Sequence, residues 1–221
     1  VNHLHGHIYA HFLNDTPPAF PFIALLASGG HTQLVHCKDH NQFELIAETR
    51  DDACGEAFDK VARLLDLGYP GGPAIETLAK EGNPKAYAFP KAMRNSLEFS
   101  FSGLKTAVMQ TIKKEDTINR ADVAASFQAC VIATLLEKAI SSLKTLNCSR
   151  LVLCGGVMAN RTLVSTFLEA ASKRKFECLS LTPLLCTDNA AMIASAAFFS
   201  NHKPVTQKEL NTVKPVSRLA V

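Results

Sequence analysis

The 221-residue sequence lacks a long hydrophobic run, a CxxC pair and a strong excess of either charge. No apolar run approaches the roughly 18 residues of a transmembrane helix, so we expect no membrane association. Seven cysteines without a CxxC pair exclude a zinc ribbon and disfavour a disulfide framework, which is typical of a reducing cytoplasm. A net charge of +3 argues against a dedicated polyphosphate-binding surface, though not against local contact with RNA.

Three familiar motifs are also missing. The chain has no GxxxxGK[ST], which excludes a P-loop, and no GxGxxG to support a Rossmann dinucleotide site. The segment His3-Leu4-His5-Gly6-His7 lacks the Glu of HExxH, which disfavours a zincin-type peptidase. The chain begins at Val1 without the pattern of a signal peptide, and this predicts a fragment or a processed chain.

The order of the predicted elements indicates a mixed α/β sheet. Three consecutive strands come first, and helices and strands then alternate, which is the order found in ribonuclease-H-like lobes. We predict strands at 22–27, 32–37, 43–48, 151–154 and 177–181, and helices at 54–67, 122–146, 160–173 and 187–199. The turn at 69–73 ends the first of these helices, and residues 83–115 are the best candidate for an insertion.

Two histidines four residues apart form the first candidate site. On a helix, His3 and His7 lie on one face and are close enough to bind a single cation, whereas His5 points away and His11 lies one turn further along. A polar helix with incidental histidines is the alternative, and the spacing alone does not decide between the two.

Two glycine turns after apolar strands form the second candidate site. Gly29-Gly30 and Gly155-Gly156 would let backbone N–H groups approach phosphate oxygens without a Cβ in the way. The second turn is expected to lead directly into a helix, whose first amides favour an anion. A tight turn explains each pair equally well, so nucleotide binding is one of two interpretations.

Acidic residues mark two predicted helix starts. Glu56 and Lys60 form a favourable pair at i and i+4, and Asp52 with Glu56 or Asp59 could meet a ribose or a cation. A solvated acidic helix start is the alternative. Asp188 lies just past a predicted strand, where α/β folds place functional groups, although Thr187 or Asp188 could simply cap the last helix.

Seven segments together resemble, in order, the motifs of the tRNA N6-adenosine threonylcarbamoyltransferase family, formerly described as O-sialoglycoprotein endopeptidases. The segments are Asn2 to His7, Ser28 to Leu34, Asp51 to Lys60, Tyr69 to Pro73, Phe99 to Thr106, Gly155 to Arg161, and Cys186 to Asn189. The resemblance implies an actin-like architecture of two ribonuclease-H-like lobes. It also implies transfer of the threonylcarbamoyl group from threonylcarbamoyl-AMP to N6 of the adenosine 3′-adjacent to the anticodon, in tRNAs reading codons that begin with adenine.

The resemblance assigns roles to single residues. It implies metal ligands at His3, His7 and Asp188, with Fe²⁺ as the first expectation and Zn²⁺ as the second. The implied substrate-contacting residues are Leu26, Ala27, Ser28, Gly29, Gly30, Asp59, Gly72, Glu76 and Asn160. The implied partners are tRNA and accessory subunits, including a paralogous actin-like subunit and a P-loop ATPase.

The sequence departs from the family pattern in two places. Most of the first lobe, which precedes the histidine motif in the family, is not in this sequence, and His5 stands where many relatives have Glu. We therefore expect residues 1–18 to be the metal-ligand helix left from the first lobe. Residues 19–221 are then the second lobe, with a largely helical or irregular insertion at about 54–115. We also expect a poorly anchored first helix and no activity of the chain alone.

Other functions remain as alternatives. A non-catalytic remnant would fold and pair with a partner, and an actin-like ATPase would leave the histidine pair without a purpose. A metallopeptidase is disfavoured because no general base stands beside the proposed ligands.

Overall fold

The computed structural model describes residues 1–114 and 117–200, which contain five strands and eight α-helices. The strands are β1 (Phe22–Ala27), β2 (Thr32–Asp39), β3 (Gln42–Glu48), β4 (Arg150–Cys154) and β5 (Glu177–Leu179). The helices are α1 (His3–Tyr9), α2 (Cys54–Leu64), α3 (Gly71–Ala79), α4 (Ser102–Lys114), α5 (Arg120–Thr145), α6 (Arg161–Arg174), α7 (Pro183–Cys186) and α8 (Ala190–Phe199). A short 3₁₀ helix at Ala10–Leu13 continues α1.

The five strands form one mixed sheet in the order β3-β2-β1-β4-β5. The first three strands are antiparallel, whereas β4 lies parallel to β1, and β5 lies parallel to β4. Long helical connections precede both β4 and β5, as parallel pairing requires. The predicted mixed α/β sheet is therefore confirmed, and its topology places the carboxyl ends of β1 and β4 side by side.

Strand β1 is the centre of the core because it is buried on both faces. Its continuous apolar run, Phe22 to Ala27, is fully inaccessible to solvent, as expected for a strand covered on both sides. Ile23 and Leu25 face α2, α5 and α6, while Ala24 and Leu26 face α1. The alternation follows from the two-residue repeat of a strand.

Helix α1 is firmly held against the sheet. Leu4 and Ile8 are buried in the same cluster as Leu26 and Val152, which belong to β1 and β4. The expectation of a poorly anchored first helix is therefore wrong, because β1 and β4 of the sheet supply the surface on which α1 packs.

The structure also corrects two local predictions. The segment Tyr69–Pro73 does separate two helices, but Gly71 already begins α3, a helix that the turn residues concealed. The segment 83–115, predicted as an insertion, contains α4, which starts at Ser102. Helix α8 begins at Ala190 and is capped by Asn189, whose side chain accepts a hydrogen bond from the Met192 amide, so neither Thr187 nor Asp188 is the cap.

Helix α5 is the one helix, among the described residues, that is long and apolar enough to cross a membrane by length and composition. Its most apolar 18-residue window is 72% buried inside the protein. The helix therefore has the surroundings of a core helix, packed against the sheet and α3.

Gly155 holds the end of β4 close to β1. Its φ is +94°, a left-handed conformation, and a Cβ there would lie 2.4 Å from the Ala27 carbonyl oxygen. The neighbouring Gly156 has no atom within 4 Å of its Cβ position. Two adjacent glycines thus have different reasons to lack a side chain.

We predict that Gly155→Ala lowers the free energy of unfolding by about 2 kcal/mol or more, because it adds both backbone strain and a clash with backbone. The matched variant Gly156→Ala should change the stability by less than about 1 kcal/mol. Urea unfolding of both variants checks this. Equal stability of the two would contradict the assigned role of Gly155.

Candidate functional site

Two histidines and one aspartate meet at the start of α8. His3 Nε2 lies 3.4 Å from Asp188 Oδ1, and His7 Nε2 lies 3.2 Å from the same oxygen. One ligand atom from each of the three residues lies within 4.8 Å of the other two. The predicted proximity of Asp188 to the histidine pair is confirmed, although 181 residues separate it from His7 in the sequence.

Close packing between α8 and α1 produces this meeting. Gly6 lies under α8, and a Cβ at Gly6 would come within 2.9 Å of Ile193 Cδ1 and 3.3 Å of Met192 Cγ. The Ser195 hydroxyl donates a hydrogen bond of 2.8 Å to the Tyr9 carbonyl, which ties the two helices together further along. The small residue between the histidines therefore lets the helix that follows Asp188 approach.

The cluster has the chemistry of a cation site. His7 is only 1% exposed; its Nδ1 has no hydrogen-bond partner among the described residues, and the contact of its Nε2 is the one with Asp188 Oδ1 at 3.2 Å. Burial lowers the pKa of His7, and the neighbouring His3 lowers it further against the opposing effect of Asp188. A neutral imidazole beside a carboxylate fits a divalent metal ion, which could be bound by His7 Nε2 and the Asp188 oxygen together.

Two other histidines have different surroundings. The His5 ring packs edge-on against Phe43, with centroids 4.7 Å apart, so it points away from the cluster as predicted. His11 Nε2 lies 2.9 Å from the Leu153 carbonyl, and burial lowers the pKa of His11 to about 4. His11 is therefore neutral at physiological pH and ties the 3₁₀ helix to β4.

A pocket of about 260 Å³ lies at the carboxyl ends of β1 and β4. The turns after these two strands, together with residues of α2 and α3, supply most of its wall. Thr187 also lines it, so the residue next to Asp188 belongs to the pocket. Its lining residues are Gly29, Gly55, Phe58, Asp59, Pro70, Gly72, Pro73, Glu76, Gly156, Val157, Ala159, Asn160 and Thr187.

Glycines give the pocket its open wall. No atom lies within 4 Å of the Cβ position of Gly29, Gly72 or Gly156, so a side chain at each of them would enter free space. Gly55 is different, because its Cβ would lie 2.6 Å from the Ser28 carbonyl. The start of α2 thus supports the Gly29 turn from behind, and the glycines at 29 and 156 face one pocket, as expected of the two turns.

The polar side chains of the pocket already have partners in the protein. Asp59 Oδ1 accepts a 2.8 Å hydrogen bond from the Gly71 amide. Asn160 Oδ1 accepts a 2.9 Å bond from the Leu163 amide, and Asn160 Nδ2 donates a 2.8 Å bond to Gln128 Oε1. These bonds hold Asp59 and Asn160 in fixed orientations at the wall.

Glu76 occupies the beginning of α6. Its Oε1 accepts hydrogen bonds of 2.8 Å and 3.2 Å from the Arg161 and Thr162 amides, and Asn160 takes the next amide, that of Leu163. The expectation that these amides are open to a bound anion is therefore wrong. A 3₁₀ turn, Gly156–Ala159, also separates the glycine turn from α6, which does not follow directly.

The remaining predicted substrate residues lie beside the pocket rather than on its wall. Leu26 and Ala27 are buried in β1, and they position the turn through the strand. Ser28 braces the turn, since its hydroxyl accepts from the His31 amide and its carbonyl accepts from the Gly55 amide. Gly30 is exposed.

Sequence reasoning missed several wall residues, of which two had a usable signal. Gly55 and Phe58 lie four residues and one residue before Asp59, so helical spacing would have placed Gly55 on the face of α2 that carries Asp59. Thr187 could have been proposed from its position next to Asp188. Gln128 does not line the pocket but bonds the wall residue Asn160, and it had no sequence signal because the two are 32 residues apart.

The acidic start of α2 is internally paired. Lys60 Nζ lies 2.7 Å from Asp52 Oδ1 and 2.8 Å from Glu56 Oε1, and both contacts raise the pKa of Lys60. The predicted Glu56–Lys60 pair is confirmed. Asp52 and Glu56 are therefore paired with the ammonium group of Lys60.

Comparison with solved structures supports the actin-like fold. The crystal structure of full-length HypF in a phosphate- and nucleotide-bound form matches with a TM-score of 0.73 at 17% identity, over 90% of this chain and 42% of that one. HypF from T. kodakarensis matches with a TM-score of 0.68 at 12% identity, over 90% of this chain and 37% of that one. At these identities the likeness concerns the fold alone.

Comparison of sequences identifies the family. A family model described as TsaD, tRNA N6-adenosine threonylcarbamoyltransferase, matches residues 1–195. Curated proteins of that name are similar along most of the chain: that of Clostridium novyi (strain NT) is 48% identical over 96% of this chain and 65% of its own length. That of Desulfitobacterium hafniense (strain Y51) is 51% identical over 90% of this chain and 60% of its own length. The chain thus spans about two thirds of these relatives, and it belongs to the tRNA N6-adenosine threonylcarbamoyltransferase family.

Proposed function

We propose that this chain provides the adenylate-binding wall and the metal site of a threonylcarbamoyltransferase. The reaction transfers the threonylcarbamoyl group from threonylcarbamoyl-AMP to N6 of the adenosine 3′-adjacent to the anticodon, in tRNAs reading codons that begin with adenine. The observation that carries the proposal is the junction of the two sites at Thr187 and Asp188. Thr187 lines the glycine-walled pocket, and Asp188 joins the histidine pair.

The pocket suits the adenylate part of the donor. The bare turns at Gly29 and Gly156 admit a phosphate group close to backbone amides. The second Asp59 oxygen can accept a hydrogen bond from a ribose hydroxyl, and Asn160 keeps one N–H for the nucleotide. Gly72 leaves room at the wall, and Glu76 keeps the start of α6 in place.

The reaction mainly requires that the protein position the donor and the acceptor. The amine of the acceptor adenosine forms a C–N bond to the carbamoyl carbon, the C–O bond of the mixed anhydride breaks, and AMP leaves with the electron pair while the amine loses a proton. Because AMP is already a good leaving group, holding the donor and balancing its charge account for most of the task. We assign no general base among the described residues.

We propose that His3, His7 and Asp188 hold one divalent metal ion, Fe²⁺ in the first place and Zn²⁺ in the second. Two imidazoles and one carboxylate are a ligand set that suits both ions and leaves coordination positions open. When bound, the metal supplies a positive charge that polarises donor oxygens. The protein contributes the geometry, since α1 presents both rings on one face and the segment before α8 places the carboxylate beside them.

The partners follow from the family. We propose tRNA as the acceptor and accessory subunits that include a paralogous actin-like subunit and a P-loop ATPase. One face of α8 supports such contacts, because its apolar residues are exposed, Phe198 at 81%. We propose a cytoplasmic location, which agrees with seven cysteines that are all free.

We also propose a division of the chain that follows the site. Residues 1–18 carry the metal-ligand helix of the first lobe, and residues 19–221 form the second lobe, although 201–221 lie outside the described residues. Helices α2, α3 and α4, which lie between β3 and α5 in the chain, belong to an insertion at about 54–115. The second wall of the substrate cleft would come from the rest of the first lobe, so we expect residues 1–221 alone not to transfer the group.

The metal proposal predicts a selective loss on substitution. His7→Ala should weaken Fe²⁺ or Zn²⁺ binding roughly 100-fold, because one of three ligands is lost. Asp188→Asn should weaken it as well, since a neutral amide replaces the carboxylate. His5→Gln is the matched control on the same helix and should bind normally. Metal titration followed by elemental analysis measures all three, and equal binding by His7→Ala and His5→Gln would exclude the site.

The adenylate proposal predicts a steric block. Gly29→Val in the full-length enzyme should weaken binding of threonylcarbamoyl-AMP by roughly tenfold or more, because the new side chain enters the pocket. Its thermal unfolding should stay unchanged, since the Cβ position is open. Calorimetry measures the binding, and mass spectrometry of nucleosides from treated tRNA measures transfer. A wild-type enzyme that binds no adenylate and modifies no tRNA would refute the function.

A further inference from the structure

Gln128 is a buried polar residue to which the proposed mechanism gives no role so far. It lies on α5, is only 5% exposed, and its Oε1 accepts a 2.8 Å hydrogen bond from Asn160 Nδ2. Asn160 is itself only 8% exposed and lines the pocket. A side chain on the core helix therefore contacts a side chain of the pocket wall.

The hydrogen bonds around Asn160 allow only one orientation of its amide. The Leu163 backbone N–H can only donate, so the atom that faces it must be Asn160 Oδ1. The amide nitrogen then faces Gln128, and because it can only donate, Gln128 must present its oxygen. Each end of the Asn160 amide is thus fixed by a different partner.

We propose that Gln128 is a positioning residue for nucleotide binding. It accepts one Nδ2 proton of Asn160 and so keeps the amide in place, with the second Nδ2 proton left to donate to the ligand. The chemical group recognised is a hydrogen-bond acceptor of an adenylate, either a ring nitrogen or an oxygen. The inference rests on the proposed function, because it specifies which hydrogen bond the pocket uses to recognise its ligand.

Removing the acceptor has a local consequence. With an apolar residue at 128, Asn160 Nδ2 would lose a partner in a buried position, and only the bond to Leu163 would hold the amide. The Asn160 side chain would then be held less firmly at the pocket wall. Ligand affinity should fall, whereas the bond-making step, which Gln128 does not touch, should keep its rate.

The test compares two substitutions of Gln128 with a control on the same helix. Gln128→Met has a similar length but no acceptor, and Gln128→Glu keeps an acceptor. Val131→Ala is the control, because Val131 is a fully buried core residue of α5 outside the pocket lining. The full-length enzyme is used, with AMP as the probe in calorimetry and threonylcarbamoyl-AMP in the transfer assay.

We expect Gln128→Met to raise the Kd for AMP and the KM for the donor about tenfold, with kcat unchanged. Gln128→Glu should restore most of the affinity, and Val131→Ala should lower the thermal stability but leave the Kd as in the wild type. Unchanged affinity in Gln128→Met would overturn the positioning role. So would an equal loss of affinity in folded Gln128→Glu or in Val131→Ala. In each of these cases, AMP binding by the wild type would still support the pocket as the adenylate site. Absence of AMP binding in the wild type would overturn both proposals.

Discussion

The close packing of α8 on α1 is the contact on which the candidate site depends. Helix α1 lies on the sheet through Leu4 and Ile8, and α8 approaches it at Gly6, where a larger residue would meet Ile193 and Met192. The segment before α8 is thereby held in place. Asp188 then lies beside the histidine pair, while the preceding residue lines the pocket. The packing of this single helix pair thus connects the sheet, the cluster of His3, His7 and Asp188, and the pocket.

The parallel pairing of β1 with β4 gives the other half of the site. It brings the turns after two strands together, although they are far apart in the sequence. Gly155 allows the strand ends to touch, since its Cβ would clash with the Ala27 carbonyl, whereas Gly29 and Gly156 leave free space toward the pocket. Functional groups at the carboxyl ends of neighbouring parallel strands are the usual arrangement in open α/β sheets.

The strands could be predicted from the sequence, whereas only some of the long-range contacts could. Buried apolar runs predicted β1 within its observed bounds, and periodicity predicted α2 and α5 to within a few residues. Helix α3 was not predicted, because its first turn is Gly71-Gly72-Pro73, residues that usually indicate a turn. The capture of the α6 amides by Glu76 could not be foreseen, because it joins residues 85 and 86 positions apart. Only the family resemblance connected Asp188 to the histidines before the fold was known.

The central claim is tested most directly by the metal affinity of variants at Gly6 that keep the three proposed ligands, His3, His7 and Asp188. Gly6→Ala adds one carbon against the flexible ends of Ile193 and Met192, so it should bind Zn²⁺ nearly as the wild type does. Gly6→Leu should push α8 away from α1 and weaken binding roughly tenfold or more, with the far-ultraviolet circular dichroism unchanged. Wild-type affinity in a folded Gly6→Leu protein would show that the packing of α8 on α1 does not set the metal site.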